Sequence, residues 1–348
     1  MRRIGILAIL LLSSLLITGC VNIKDPATGV VGGIFKSTDG GEIWQQKVSL
    51  LSLSDQKETL NSVNVTGLVF DPQDSGTLYL STKNNGAFVT FDAAESWERL
   101  KRLPLAKINS IVVHPLAKHI VYVAIDNQIF TSRDANRTWQ SIYLESLDGV
   151  ELTVLVIDPI RPESIMAGLS DGRMIKSDNE GLSWRMINDF KGAIKQILVN
   201  SNNNQVIYIT TKGKGIFRSS DGGDNWQSLD QSLKDYRGGR EVTKLIGDAQ
   251  NENLLISIND YGILKTEDGG DTWSDYKLLV AGTKIKPQVL AINPQDYNII
   301  YYAAAATLYK SIDGGQNWIT KPLPSNKTPV ELLIDPVNPS ILYLGVGK

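Results

Sequence analysis

The chain has 348 residues, is 42% hydrophobic and sets 35 Lys and Arg against 37 Asp and Glu, for a formal charge of −2. Such a length can bury a sizeable core, and the balance of charge gives no bulk attraction to nucleic acid. One cysteine and two histidines, His114 and His119, exclude an internal disulfide and the usual His/Cys metal clusters by count.

In chain order, Arg2 and Arg3 precede an apolar run over 4–17, followed by Thr18-Gly19-Cys20. This is a charged n-region, an h-region and a small-residue cleavage site, and the run is shorter than the roughly 20 residues a spanning helix needs. Ile17-Thr18-Gly19-Cys20 also resembles the bacterial lipobox. Residues 1–19 are therefore expected to be a lipoprotein signal peptide and 20–32 a short tether lipidated at Cys20. The tether would hold the folded body, residues 33–348, close to a membrane outside the cytoplasm.

Two short strands, 33–36 and 43–48, are expected to flank the first copy of a phrase that organises everything after it. In the copy at 219–226 it reads Ser-Ser-Asp-Gly-Gly-Asp-Asn-Trp. Copies open at Ser37, Thr90, Ser132, Ser177, Ser219, Thr266 and Ser311 and close on Trp44, Trp97, Trp139, Trp184, Trp226, Trp273 and Trp318, which are all the tryptophans present. Asp holds the third position at Asp39, Asp92, Asp134, Asp221, Asp268 and Asp313, with Asn179 in the remaining copy. A short polar side chain there can bond its own turn, and the usual fifth-position Gly supplies the positive φ of a tight turn. Ala94 and Asn136 break the Gly rule, so those two hairpins are expected to be looser.

Strands over 65–71, 77–82, 87–90 and 96–100 make the first full unit. A second landmark recurs at Asp71-Pro72, His114-Pro115, Asp158-Pro159, Asn200-Ser201, Asp248-Ala249, Asn293-Pro294 and Asp335-Pro336, at intervals of 43, 44, 42, 48, 45 and 42 residues. Short strands at such a period, separated by Pro, Gly and Asn turns, point to four-stranded propeller blades. The chain opens on a turn phrase without its Asp-Pro partner and finishes, over 331–346, on an Asp-Pro unit without its phrase. Six full blades and two complementary halves predict an all-β, seven-bladed propeller of four-stranded antiparallel blades, closed by pairing of the N- and C-terminal strands.

The pattern Ser/Thr-x-Asp-x-Gly-x-Thr-Trp resembles the Asp-box, or bacterial neuraminidase repeat, over residues 33–348. Both landmark turns should lie on one face. The turns between second and third strands, with the blade-to-blade connections, should lie on the other, together with two insertions at 49–62 and 230–241. That second face is where a partner or ligand is expected. Lys212 and Lys214 in one such turn, with Lys234, Arg237 and Arg240 in the connection after it, form a candidate cluster for an acidic peptide or carboxylate. Asp221 and Asp268 of the turn phrase superficially suggest calcium, but the ligand offsets and the terminal bidentate Glu of a calcium loop are absent.

The resemblance also covers sialidases and xyloglucanases, whose chemistry needs two carboxyl groups flanking the bond. Asp126, Asp171 and Asp260 are the candidates on the expected face, and all three are ordinary turn residues as well. No Arg-Ile-Pro segment or inner-strand arginine supports a sialidase, and xyloglucanases resemble two such propellers face to face. A single, lipid-anchored propeller without catalytic residues is most similar to the photosystem II stability/assembly factor group. That resemblance implies a non-enzymatic, monomeric propeller scaffold without cofactor or metal, which docks an envelope or membrane protein. The rival expectation is a surface glycan-binding or glycan-cleaving lipoprotein, for which Tyr261 and Tyr236 would be the exposed aromatics.

Overall fold

The computed structural model describes residues 32–51, 59–247, 255–281 and 284–347. The signal segment, Cys20, the tether as far as residue 31 and the Asp248-Ala249 turn lie outside the described residues. Seven four-stranded antiparallel sheets make up the body, and no helix occurs among the described residues. Numbered along the chain, blades 1 to 6 cover 65–99, 108–144, 152–189, 194–228, 242–275 and 289–322. Blade 7 takes its inner strands, Thr328–Ile334 and Leu342–Gly347, from the C-terminal end and its outer strands, Gly33–Ser37 and Gln45–Gln46, from the N-terminal end. Each innermost strand contacts the next around a full circle, with blade 7 against blade 1.

Seven apolar clusters fill the seven gaps between sheets, and each contains or is backed by one phrase tryptophan. Trp97, fully buried, packs with Ile34 and Tyr343 of blade 7, and Trp226 packs against blade 3 residues such as Met174. The outer strands expected over 43–48 and 96–100 are shorter, two residues each at Gln45–Gln46 and Glu98–Arg99.

The turn phrase has the same wiring in every blade. Ser37 Oγ accepts the Gly41 amide at 2.9 Å and donates to Asp39 Oδ1 at 2.7 Å, while Asp39 Oδ1 accepts the Ile43 amide at 2.9 Å. The fourth and fifth positions are both left-handed, the fourth between φ 56 and 75 and the fifth between 67 and 103. Ala94 and Asn136 are no looser than the glycines. Their amides reach Thr90 Oγ1 and Ser132 Oγ at 3.0 and 2.9 Å, with φ of 70 and 67. The departure from Gly is absorbed as backbone strain, which the surrounding hydrogen bonds over-determine.

The phrase also latches one blade to the next. Its fourth-position carbonyl accepts a tyrosine hydroxyl from the preceding blade's second strand: Tyr208 to Gly269 at 3.1 Å, Tyr122 to Glu180 and Tyr343 to Ala93 at 3.5 Å. Lys36 and Arg218 add charged donors to Ala93 O and Gly269 O at 2.9 and 3.0 Å. These tyrosines stand eight residues after the Asp-Pro slot in five units, at 79, 122, 208, 301 and 343, a signal present in the sequence.

At the Asp-Pro landmark, Asp71 Oδ1 accepts the Gln73 amide at 2.8 Å, and Asp158, Asn200, Asn293 and Asp335 act alike. His114 does the same work with an imidazole, Nδ1 accepting the Leu116 amide at 3.2 Å. Burial holds this imidazole below its ordinary pKa. A depressed pKa means that the contribution is complete above about pH 6.5 and is lost as pH falls through the lower folded value, since protonated Nδ1 cannot accept. Replacing His114 by Asp should remove a stability loss of about 1 kcal/mol between about pH 8 and pH 5. Urea midpoints at the two pH values measure it, and equal pH sensitivity in both proteins would contradict this role.

Around the axis, inner strands carry a bulge near their start in blades 1 to 5 and 7. A bulge re-aims the extra residue. Thr66 Oγ1, Asn109 Nδ2 and Lys195 Nζ each donate to the first carbonyl of the next inner strand, at Ile108, Leu152 and Val242. Lys244 of blade 5 and Glu331 of blade 7 form an ion pair of 2.8 Å. Their blades are not adjacent, so the pair crosses the axial channel at that level.

Candidate functional site

Both landmark turns lie on one face of the ring, and the second-to-third strand turns with the blade connections lie on the other, as the spacing predicts. The aspartates of the turn phrases all sit on the first. Four of them, Asp134, Asp221, Asp268 and Asp313, are held down at about 2. For Asp221 the causes are the Asn225 amide N–H, the Asn225 side chain and the Ser219 hydroxyl, in that order. Such carboxylates are spent on their own turns.

On the opposite face, Lys212 and Lys214 flank Gly213 at φ 74 in a turn closed by Thr211 Oγ1 donating to Gly215 O at 3.2 Å. The connection 229–241 coils through successive three-residue turns, such as Tyr236 N to Leu233 O at 3.1 Å and Gly239 N to Tyr236 O at 2.8 Å. Leu233 is buried between blades 4 and 5, and Tyr236 donates its hydroxyl to Trp273 O at 2.5 Å. These two anchors leave Lys234, Arg237 and Arg240 on the outside, and all five basic residues are exposed.

The connection packs onto the lysine turn: a Cβ at Gly215 would lie 2.2 Å from Asp230 Oδ1 and 3.8 Å from Arg240 Cβ. The connection thus brings Arg240 to the lysine turn, while the segment that carries Arg237 packs toward blade 5, a Cβ at Gly238 standing 2.8 Å from Asp260 Cβ. Arg240 faces Asp230 at 3.7 Å, and the other four have no ion-pair partner among the described residues. The described part of the insertion at 49–62 divides: Leu60 and Asn61 meet Gly33 and Gly32 at the loop-face end of blade 7, as expected, but the first residues do not. Residues 49–51 run beside the outer strand of blade 1, with the Trp97 amide donating to Ser49 O at 2.9 Å, so they staple blade 7 to blade 1 on the rim.

Asp126, Asp171 and Asp260 sit in turns of three different blades and are not brought together. Asp171 pairs with Arg173 at 2.6 Å, and Arg173 also meets Glu145 at 2.9 Å. Asp260 pairs with Lys286 at 2.8 Å. Burial raises the Glu145 carboxyl, but the Leu147 amide, the Tyr143 hydroxyl and Arg173 outweigh it and hold the group below its ordinary value. A Glu145 carboxyl held down in this way stays ionised, which is the wrong state for a general acid.

Glu145 and Arg173 escaped sequence reasoning because they come from different blades. Tyr236 and Tyr261 pack edge to face, with ring centroids 5.1 Å apart, and Tyr261 lines a cleft of about 360 Å3 with Asp275 and Lys277. No group of three His, Cys, Asp or Glu side chains placed to hold a metal occurs among the described residues.

No protein-family model matches the chain. Among curated proteins, a probable oligoxyloglucan-reducing end-specific xyloglucanase of Neosartorya fischeri is 27% identical over 84 residues, 24% of this chain and 10% of that protein. A xyloglucanase of Hypocrea jecorina is 25% identical over 167 residues, 40% of this chain and 20% of that protein. The matched stretches therefore span only a small part of these relatives.

Among solved structures, the GH74 xyloglucanase of Xanthomonas campestris superposes with a TM-score of 0.66 at 18% identity, over 82% of this chain and 51% of that one. YCF48 of Cyanidioschyzon merolae superposes with a TM-score of 0.62 at 14% identity, over 82% and 95%. A structure of YCF48 bound to D1 peptide gives 0.62 at 16%, over 82% and 94%. At these identities the likeness is one of fold: the chain is a β-propeller similar both to YCF48 and to GH74 enzymes.

Proposed function

We propose that the chain is a non-catalytic propeller lipoprotein, anchored through Cys20 on the extracytoplasmic side of a membrane. Its loop face docks an envelope or membrane protein through the cluster of Lys212, Lys214, Lys234, Arg237 and Arg240. The observation that carries this reading is the state of the loop-face carboxylates. Glycoside cleavage needs one protonated and one ionised carboxyl about 5 to 10 Å apart. Here Asp171 and Glu145 are tied to one arginine and Asp260 to a lysine. Four exposed cations without ion-pair partners are, by contrast, free for charge-assisted bonds to an acidic segment.

Reversing Arg237 and Arg240 to Glu, and separately Lys212 and Lys214 to Glu, tests it by quantitative recovery of partners from membranes. Each pair is expected to lower recovery of the same partner at least tenfold, about 1.4 kcal/mol. Unchanged recovery would remove the basic cluster from the interface. Hydrolysis of xyloglucan oligosaccharides that vanishes in Asp171→Asn would overturn the non-enzyme reading. The Tyr261 cleft is the one feature that favours a glycan binder, and oligosaccharide binding lost in Tyr261→Ala would favour that alternative.

A further inference from the structure

The rim between blades 1 and 2 carries a charge that comparable clefts do not. There the outer strand Glu98–Arg99, the residues after it and the turn phrase of blade 2 enclose a cleft of about 410 Å3. Arg99, Lys101, Arg102 and Arg137 line it against a single acid, Glu98. Clefts in the same setting elsewhere are mixed: between blades 3 and 4, Lys176 and Arg185 meet Asp178 and Asp221, and between blades 5 and 6, Lys265 meets Glu267 and Asp313.

All four cations of the first cleft are exposed, and none forms an ion pair among the described residues. Arg102 holds a left-handed φ of 65, and its guanidinium donates to Arg137 O at 3.3 Å, which sets two arginines side by side. Arg99 lies over the Phe88 ring at 5.2 Å, on the blade 7 side of the sheet, which leaves Lys101, Arg102 and Arg137 as the charges that face the cleft. Like charges collected this way repel one another unless an anion lies between them. The floor is apolar: Val89 and Leu100 are buried, and the Phe91 ring is 59% exposed at the edge.

We propose that this cleft binds a phosphate ester that carries an apolar substituent. The planar forks of Arg102 and Arg137 match phosphate oxygens, and Phe91 with the floor receives the apolar part. An anionic phospholipid offers both halves, and a soluble phosphate ester offers the first. The cleft lies on a different sector from the Lys212 and Lys214 turn, so its chemistry stands apart from the loop-face docking proposed above.

The test uses the full chain with Cys20→Ser, so that no acyl group on that residue contributes. Sedimentation is measured with vesicles of phosphatidylcholine and of its equal mixture with phosphatidylglycerol, alongside calorimetric titration with glycerophosphate. Arg102→Gly, which suits the left-handed backbone, and Arg137→Gln are compared with Lys212→Glu, thermal unfolding serving to show that each variant is folded.

Binding to the mixed vesicles alone, weakened roughly tenfold by each arginine substitution and unchanged by Lys212→Glu, supports the proposal with lipid as the source. Glycerophosphate binding with the same sensitivity, and no vesicle binding, supports the phosphate chemistry with a soluble source. Binding that survives both arginine substitutions, or no binding of either probe, overturns it.

Discussion

A chain ended at Lys327 is expected to show no cooperative unfolding transition. The strand Leu342–Gly347 lies in the interior of blade 7, paired with 33–37 from Gly33↔Val346 to Ser37↔Leu342 and with 328–334 on its other side. Its loss, with that of Thr328–Ile334, strips Leu332, Leu342, Leu344 and Val346 from the gap with blade 6 and Tyr343 from the gap with blade 1. Each buried side chain of this size contributes about 1.5 to 3 kcal/mol, so the sum rivals the 5 to 15 kcal/mol that whole domains retain. Two open edges would also expose unpaired backbone groups. Calorimetry of the truncated chain measures this, and a single transition with its midpoint within a few degrees of the parent would refute closure as the source of cooperativity.

The second large effect is expected at a single methyl group. Gly315→Ala should destabilise the ring by about 2 to 4 kcal/mol, the sum of left-handed strain and overpacking. Gly315 has φ 84, and a Cβ there would stand 2.1 Å from Tyr276 Cδ1, a buried ring of blade 5 that packs on Trp318. Phrase Trp and preceding blade close on the same spot. Ala94→Gly is the control. The backbone is left-handed there too, but the methyl already has its place in the core between blades 7 and 1, so the change should stay within about 1 kcal/mol. Urea unfolding of both variants decides it, and equal effects at the two sites would show that room for the methyl plays no part.

The turn phrase could be read because its requirements are local. Two left-handed residues, a hydroxyl, a carboxylate and an inward tryptophan all fall within eight residues, so their repetition showed in the order of letters alone. The expectation of looser hairpins at Ala94 and Asn136 failed for a related reason. Composition suggested that the residue type sets the geometry, whereas the hydrogen bonds to Thr90 and Ser132 impose it. The tyrosine latches were visible as a period, but their acceptors lie in the neighbouring blade, 61 residues on for Tyr208 and 250 back for Tyr343.

By itself the sequence determined the number of blades, the order of strands and the strand exchange that closes the ring, because these follow from a repeated unit whose phase differs at the two ends. Which charges meet was decided only by the tertiary structure. Lys244 reaches Glu331 across the axis, Arg173 holds two acids together, and Arg137 arrives beside Arg102 without a carboxylate between them. Charge pairing acts over a few ångströms in space, and a ring brings within that range side chains that their positions along the chain keep far apart.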